Sequence, residues 1–195
     1  MITEEIKNKV DSIFKLYESY GNESYGENVT QLQHMLQCAQ IAKKDGADDE
    51  LILAAFFHDI GHLLESENTM EKMGKWGLEK HDYFGGEFLA KLGFSDKITQ
   101  LVAGHVNAKR YLTFSKPGYL EGLSKASRET LEFQGGIMTE IEARKFECDN
   151  YFKDHVQVRL WDDLGKIEGL EISEHELNFL KEMTFLHLSN NISKN

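Results

Sequence analysis

Six polar side chains stand where this sequence's helices ordinarily bury apolar ones: His34, His58, Asp59, His81, His105 and Asp162. His58 and Asp59 close the run Leu51-Ile52-Leu53-Ala54-Ala55-Phe56-Phe57. An imidazole and a carboxylate therefore meet at the inner edge of a core, where an unpaired polar group costs several kcal/mol. A metal ion satisfies both at once. Adjacent helical residues point about 100° apart, so the pair can grip one ion, or Asp59 can reach a second. Singly, each residue has an ordinary reading: a core histidine for His34 or His81, a cap or surface role for Asp162, a capping aspartate at Asp59. Together, four imidazoles and two carboxylates on five helices make a ligand set for two ions held between helices. With no cysteine in the set, N/O ligation favours Fe, Mn or Zn. Neutral imidazoles leave only two carboxylate charges, so two multivalent ions leave a positive site suited to an anionic, chelating substrate.

The elements that must position these residues read as helices. Apolar spacing predicts a helix over Ile2 to Tyr20, a Gly- and Asn-rich loop over Gly21 to Asn28, and a second helix from Thr30 to Gly46. A third, capped by Asp48 or Asp49, is expected to run to His58 and beyond. Glu65 to Gly77, with Met70, Met73 and Trp76, reads as a long loop and candidate lid. Helices follow over Leu78 to Leu92, Asp96 to about Leu112, Ser124 to Gln134, from Met138, over Asn150 to Leu164, and from Ser173. There is no repeat and no convincing strand. The expectation is an all-α fold with one domain over 1–195.

Composition agrees and narrows the partners. One proline in 195 residues suits a helical chain, and the length suits a single sizeable core. The net charge of -11 disfavours nucleic acid or an anionic membrane as partner, since both need a basic face. No apolar run approaches the roughly 18 residues of a membrane span, and the acidic N-terminus is unlike a signal peptide. Cys38 and Cys148 show no pairing pattern, so reduced thiols and a cytoplasmic location are expected.

Several blocks in order carry a resemblance: Gln31-Leu32-x-His34, Ala54-Ala55-Phe56-Phe57-His58-Asp59-Ile60-Gly61-His62, Gly104-His105-Val106-x-Ala108-Lys109-Arg110-Tyr111-Leu112, Ser127-Arg128-x-Thr130-Leu131-Glu132-x-Gln134-Gly135-Gly136 and Arg159-x-Trp161-Asp162. The chain resembles the HD-domain superfamily, in the oxygen-activating diiron branch that includes myo-inositol oxygenase, and most closely the PhnZ-type oxygenases of 1-hydroxyalkylphosphonates. The resemblance implies a helical bundle with two irons, mixed-valent Fe(II)/Fe(III), in its core. It puts His34, His58 and Asp162 on one iron, His81 and His105 on the other, and Asp59 between them. The implied reaction uses O2 to oxygenate C1 and break the C–P bond. It releases phosphate with glycine from 1-hydroxy-2-aminoethylphosphonate, or with glycine betaine from the trimethylated analogue. A hydroxylase that makes the substrate is expected upstream.

A phosphonate dianion needs cationic and hydroxyl donors beside the metals. Lys109, one turn from His105, and Arg159, three residues before Asp162, are placed to supply charge, and His62, one turn after His58, to donate a hydrogen bond. Ser127 and Thr130 add hydroxyls at positions matching the family. The ordinary readings are surface cations, second-layer support and a helix cap. The loop Ser24-Tyr25-Gly26-Glu27 departs from the family pattern. There a tyrosine three residues before the glutamate caps an iron, and the glutamate binds the substrate ammonium. Here that position is Ser24, and Tyr25 stands one place later, so either Tyr25 does that job from a loop one residue shorter or the capping switch is absent. Glu27 keeps its register with His34, so a cationic tail is the expectation; a trimethylammonium would favour the aromatic faces of Tyr20, Tyr25 and Trp76. The rival readings are an HD phosphohydrolase acting on a nucleotide or other phosphoester through metal-activated water, and a regulatory domain that only binds a metal or nucleotide.

Overall fold

A computed structural model describes residues 2–67 and 72–192. Its order is α1 (Ile2–Tyr20), α2 (Gln31–Lys44), α3 (Asp49–Phe57), a 3-10 helix (Ile60–Glu67), α4 (His81–Leu92), α5 (Asp96–Ser115), α6 (Tyr119–Gly122), α7 (Lys125–Phe133), α8 (Glu140–Glu147), α9 (Phe152–Leu164) and α10 (Glu174–Ile192). Among the described residues there is no strand, only an isolated antiparallel bridge between Lys72 and Leu78. The all-α expectation holds. No helix there is long and apolar enough to cross a membrane.

α3 is the axis of the bundle. Ile52 to Phe57 are buried without a break, and α2, α5, α9 and α10 pack around them. On one side, α1 lays down Ile6, Val10, Ile13, Phe14 and Tyr17, a stripe at helical spacing. The Tyr17 ring stacks on Phe56 with centroids 4.8 Å apart. Caps fix the other helices where the sequence says they begin. Thr30 and Gln33 form a reciprocal capping box for α2, Asp48 accepts from Leu51 N–H for α3, and Ser124 accepts from Ser127 N–H for α7.

The expected third helix is too long. It stops at Phe57, with His58 as its last, capping residue, and Asp59 lies in the turn before the 3-10 helix. The cause is Gly61, which backs directly onto the chain at His81: a β-carbon there would stand 1.8 Å from the His81 carbonyl oxygen. An unbroken α3 would not bring those two segments together. α4 starts at His81 instead of Leu78, and α5 continues to Ser115. The 3-10 helix takes up the start of the expected loop; Met73 is buried further along it, and Met70 lies outside the described residues.

Candidate metal centre and anion pocket

Each histidine of the set is oriented by its own backbone. Nδ1 of His58 lies 2.9 Å from the Ala55 carbonyl, that of His81 2.9 Å from Leu78, and that of His105 2.8 Å from Val102. Nδ1 of His34 reaches across the bundle to the Gly165 carbonyl at 2.8 Å. A carbonyl accepts, so each Nδ1 carries the hydrogen, and each neutral imidazole presents a bare Nε2 lone pair. Those lone pairs face each other in two couples, His34 with His58 and His81 with His105, both at 3.1 Å between Nε2 atoms.

Two acceptors at that distance repel unless a proton or a metal ion lies between them. Ligands about 2.1 Å from one ion and at right angles sit roughly 3.0 Å apart, so each couple has the spacing of neighbouring ligands on a metal. Asp59 joins the couples. Its Oδ2 is 3.6 Å from His34 Nε2 and 3.4 Å from His58 Nε2; its Oδ1 is 3.3 Å from both His81 and His105 Nε2. Asp162 Oδ1 adds a second carboxylate to the first couple, 3.3 Å from His34 Nε2. The donor set therefore fits two metal ions, with one oxygen of Asp59 turned to each.

The electrostatics also call for cations. Burial alone would raise the carboxyl groups of Asp59 and Asp162, but the surrounding positive groups outweigh it and hold both well below the usual range. Burial likewise opposes a charge on His58, yet Asp59 and Asp162 lift it to about 9. A proton there stands in for the charge the carboxylates need. Cys38 is close to His34 but on the wrong side: its Sγ lies 3.8 Å from Nδ1, already committed to Gly165, and burial pushes the thiol up. It is packed, as the sequence suggests.

Beside the imidazoles opens a pocket lined by Tyr25, Glu27, His34, Asp59, His62, His81, His105, Lys109, Ser127, Thr130, Arg159 and Asp162. Every site residue expected from sequence lines it except His58, whose Nε2 lies 3.1 Å from that of His34. His62 accepts the Leu78 N–H at Nδ1 (3.1 Å), so its Nε2 carries the hydrogen. Its ring stacks on His81 at 3.9 Å, and burial keeps it neutral. Lys109 donates to Thr130 Oγ1 (3.0 Å) and the Ser127 carbonyl (3.2 Å). Burial and the nearby Arg159 bring its ammonium down to about 7. Arg159 donates to Asp162 Oδ2 (2.5 Å), Asp163, Tyr119 Oη (3.0 Å) and Ser127 Oγ (3.3 Å). Although buried, it stays firmly charged, because the two aspartates outweigh the loss of solvent.

Against this geometry, a family model for the HD domain matches residues 32–134. The chain belongs to the HD-domain family. Among its relatives is a hydroxymethylphosphonate dioxygenase of Gimesia maris, 39% identical over 166 residues, covering 85% of this chain and 82% of that protein. A [1-hydroxy-2-(trimethylamino)ethyl]phosphonate dioxygenase (glycine-betaine-forming) of Leisingera caerulea is 40% identical over 169 residues, covering 86% and 85%. An uncharacterized protein of Acanthamoeba polyphaga mimivirus is 39% identical over 187 residues, covering 95% and 84%. The relatives named for an activity place this HD-domain protein with the PhnZ-type oxygenases its motifs resemble.

Three features of the HD-domain pocket escape a reading of the sequence. Lys166 reaches Ser127 Oγ (3.1 Å), Glu27 Oε1 (3.1 Å) and Asp162 Oδ1 (3.6 Å). It lies past the end of α9, where helical periodicity no longer assigns a face; only its four-residue spacing from Asp162 is a signal. Tyr119, on the one-turn α6, and Asp163 hold Arg159 from partners 40 and 4 residues away. The Tyr25 hydroxyl donates to Glu23 Oε2 at 2.7 Å, and its ring lies 4.9 Å from that of His62. In this conformation the Tyr25 hydroxyl is turned toward its own loop while its ring lines the pocket.

Proposed function

We propose that this protein uses O2 to cleave the C–P bond of a 1-hydroxyalkylphosphonate, yielding inorganic phosphate and a carboxylic acid. The observation that carries the reading is the Asp59 carboxylate, one oxygen toward each imidazole couple, at the floor of a pocket walled by Lys109, Arg159 and Lys166. The dioxygenase names of two relatives support it. Two irons in the mixed-valent state, bound by His34, His58 and Asp162 and by His81 and His105 with Asp59 shared, would supply oxygen activation and substrate chelation.

The chain's own residues do the rest. Lys109 and Arg159 neutralise the phosphonate oxygens, and the hydroxyls of Ser127 and Thr130 orient them. His62, with its hydrogen on Nε2, donates to the bound substrate while staying neutral. Tyr25 covers His62 from the loop side. C1 supplies the four electrons that reduce dioxygen, so no external reductant enters the balance. From 1-hydroxy-2-aminoethylphosphonate the acid is glycine, from its trimethylated analogue glycine betaine, and from hydroxymethylphosphonate formate. A separate hydroxylase supplies the substrate, and residues 1–195 act as one catalytic unit.

Iron-loaded, ascorbate-treated protein is offered these three compounds with and without oxygen, and phosphate release is followed. Oxygen-dependent release of one phosphate per O2 consumed is the expected result. Anaerobic hydrolysis of phosphoesters, with the hydroxyphosphonates untouched, would establish the phosphohydrolase reading instead.

A further inference from the structure

Three features of the pocket can recognise a cationic substrate tail: the Glu27 carboxylate and the aromatic faces of Tyr25 and Trp76. Glu27 and Trp76 each already hold a lysine of this chain. Glu27 Oε1 accepts from Lys166 Nζ at 3.1 Å and from Ser124 Oγ at 2.5 Å. The Glu27 and Lys166 side chains are 24% and 15% exposed, so solvent screens the pair only in part. Trp76 lies against the backbone of Gly26, where a β-carbon would stand 1.9 Å from the ring, and Lys75 Nζ sits 4.6 Å from a Trp76 ring centroid.

An incoming ammonium would have to displace Lys166 from Glu27 or settle beside it as a second cation. The first takes Lys166 from its carboxylate, and the second brings two ammonium groups to one carboxylate, whose Oε1 already serves Lys166 and Ser124. Lys166 is also anchored by Ser127 Oγ at 3.1 Å and Asp162 Oδ1 at 3.6 Å, so it does not swing freely away.

We propose that Lys166 is a specificity-determining residue that occupies the ammonium position at Glu27, so that this protein selects short hydroxyphosphonates with no cationic tail, of the hydroxymethylphosphonate class. This inference rests on the phosphonate reading above. It departs from the cationic tail expected from the register of Glu27, whose internal partner the sequence does not reveal.

The test is anaerobic calorimetry on the metal-loaded protein, where binding is read without turnover. The ligands are hydroxymethylphosphonate and 1-hydroxy-2-(trimethylammonio)ethylphosphonate. The wild type is expected to bind the former at least tenfold more tightly. Lys166→Met, which leaves Glu27 the Ser124 hydroxyl but no cationic partner, is expected to weaken both but shift their ratio at least tenfold toward the cationic ligand. Glu27→Gln added to Lys166→Met is expected to abolish that shift, which separates release of Glu27 from general damage to the pocket. Preference of the wild type for the cationic ligand, or a ratio unmoved by Lys166→Met, overturns the inference and leaves the phosphonate reading intact. If neither compound binds and neither releases phosphate under oxygen, the phosphonate reading itself falls, and this inference with it.

Discussion

Gly61 lies so close to His81 that a β-carbon at position 61 would stand 1.8 Å from the His81 carbonyl oxygen and 2.9 Å from its Cα. The contact locks the turn carrying His58 and Asp59 to the first residue of α4, so the two halves of the metal centre share one backbone joint. Gly61→Ala forces that joint apart. Overpacking against backbone costs about 1–3 kcal/mol, and the expected result is lower stability in urea with metal lost from the His81–His105 couple. Metal analysis beside the unfolding curve checks both.

Asp59→Ala removes the carboxylate that faces both couples and leaves its neighbours' lone pairs opposed. Oxygen-dependent phosphate release is expected to vanish, and bound metal to fall by at least one ion per chain. Near-normal turnover would mean that Asp59 does not bridge.

Lys109 yields a pH dependence. Its ammonium is held near 7, against 10.5 for an ordinary lysine, because of burial and the adjacent Arg159. Between those values the folded protein binds fewer protons than the unfolded chain, so this group's contribution to stability rises with pH across that window. Lys109→Met is expected to flatten the rise. A bound phosphonate dianion draws the proton back. Calorimetry roughly one unit above the midpoint, in buffers of different ionisation enthalpy, is expected to show proton uptake on binding in the wild type and much less in Lys109→Met.

Arg159 serves Asp162, Asp163, Tyr119 and Ser127 at once. Arg159→Met takes the guanidinium from buried Asp162, which keeps Lys166 at 3.6 Å, a loss of about 1–3 kcal/mol. A metal on Asp162 replaces part of that charge. The rise in melting temperature on metal loading is therefore expected to be larger in the variant than in the wild type, with substrate affinity still poor.

The gathering of the six candidate ligands was legible because most of them interrupt otherwise apolar helical faces, and the caps at Thr30, Asp48 and Ser124 bounded the helices correctly. Asp59 was assigned to a helix because Phe57, His58 and Asp59 carry no breaker; the break comes from the distant contact of Gly61 with His81. Lys166 was missed for a related reason. Its importance lies in meeting Glu27 and Ser127, 139 and 39 residues earlier, after helical spacing has ended. Local pattern identifies ligands on helices, whereas pairings across the bundle that set specificity leave little trace in it.

The most direct measurement is the iron content of anaerobically loaded protein together with its electron paramagnetic resonance spectrum after partial oxidation. Two irons per chain and a signal from a coupled Fe(II)/Fe(III) pair are expected, with the signal lost in His105→Ala. One ion per chain, or a spectrum of isolated Fe(III) alone, would contradict the two-metal centre on which the proposed chemistry depends.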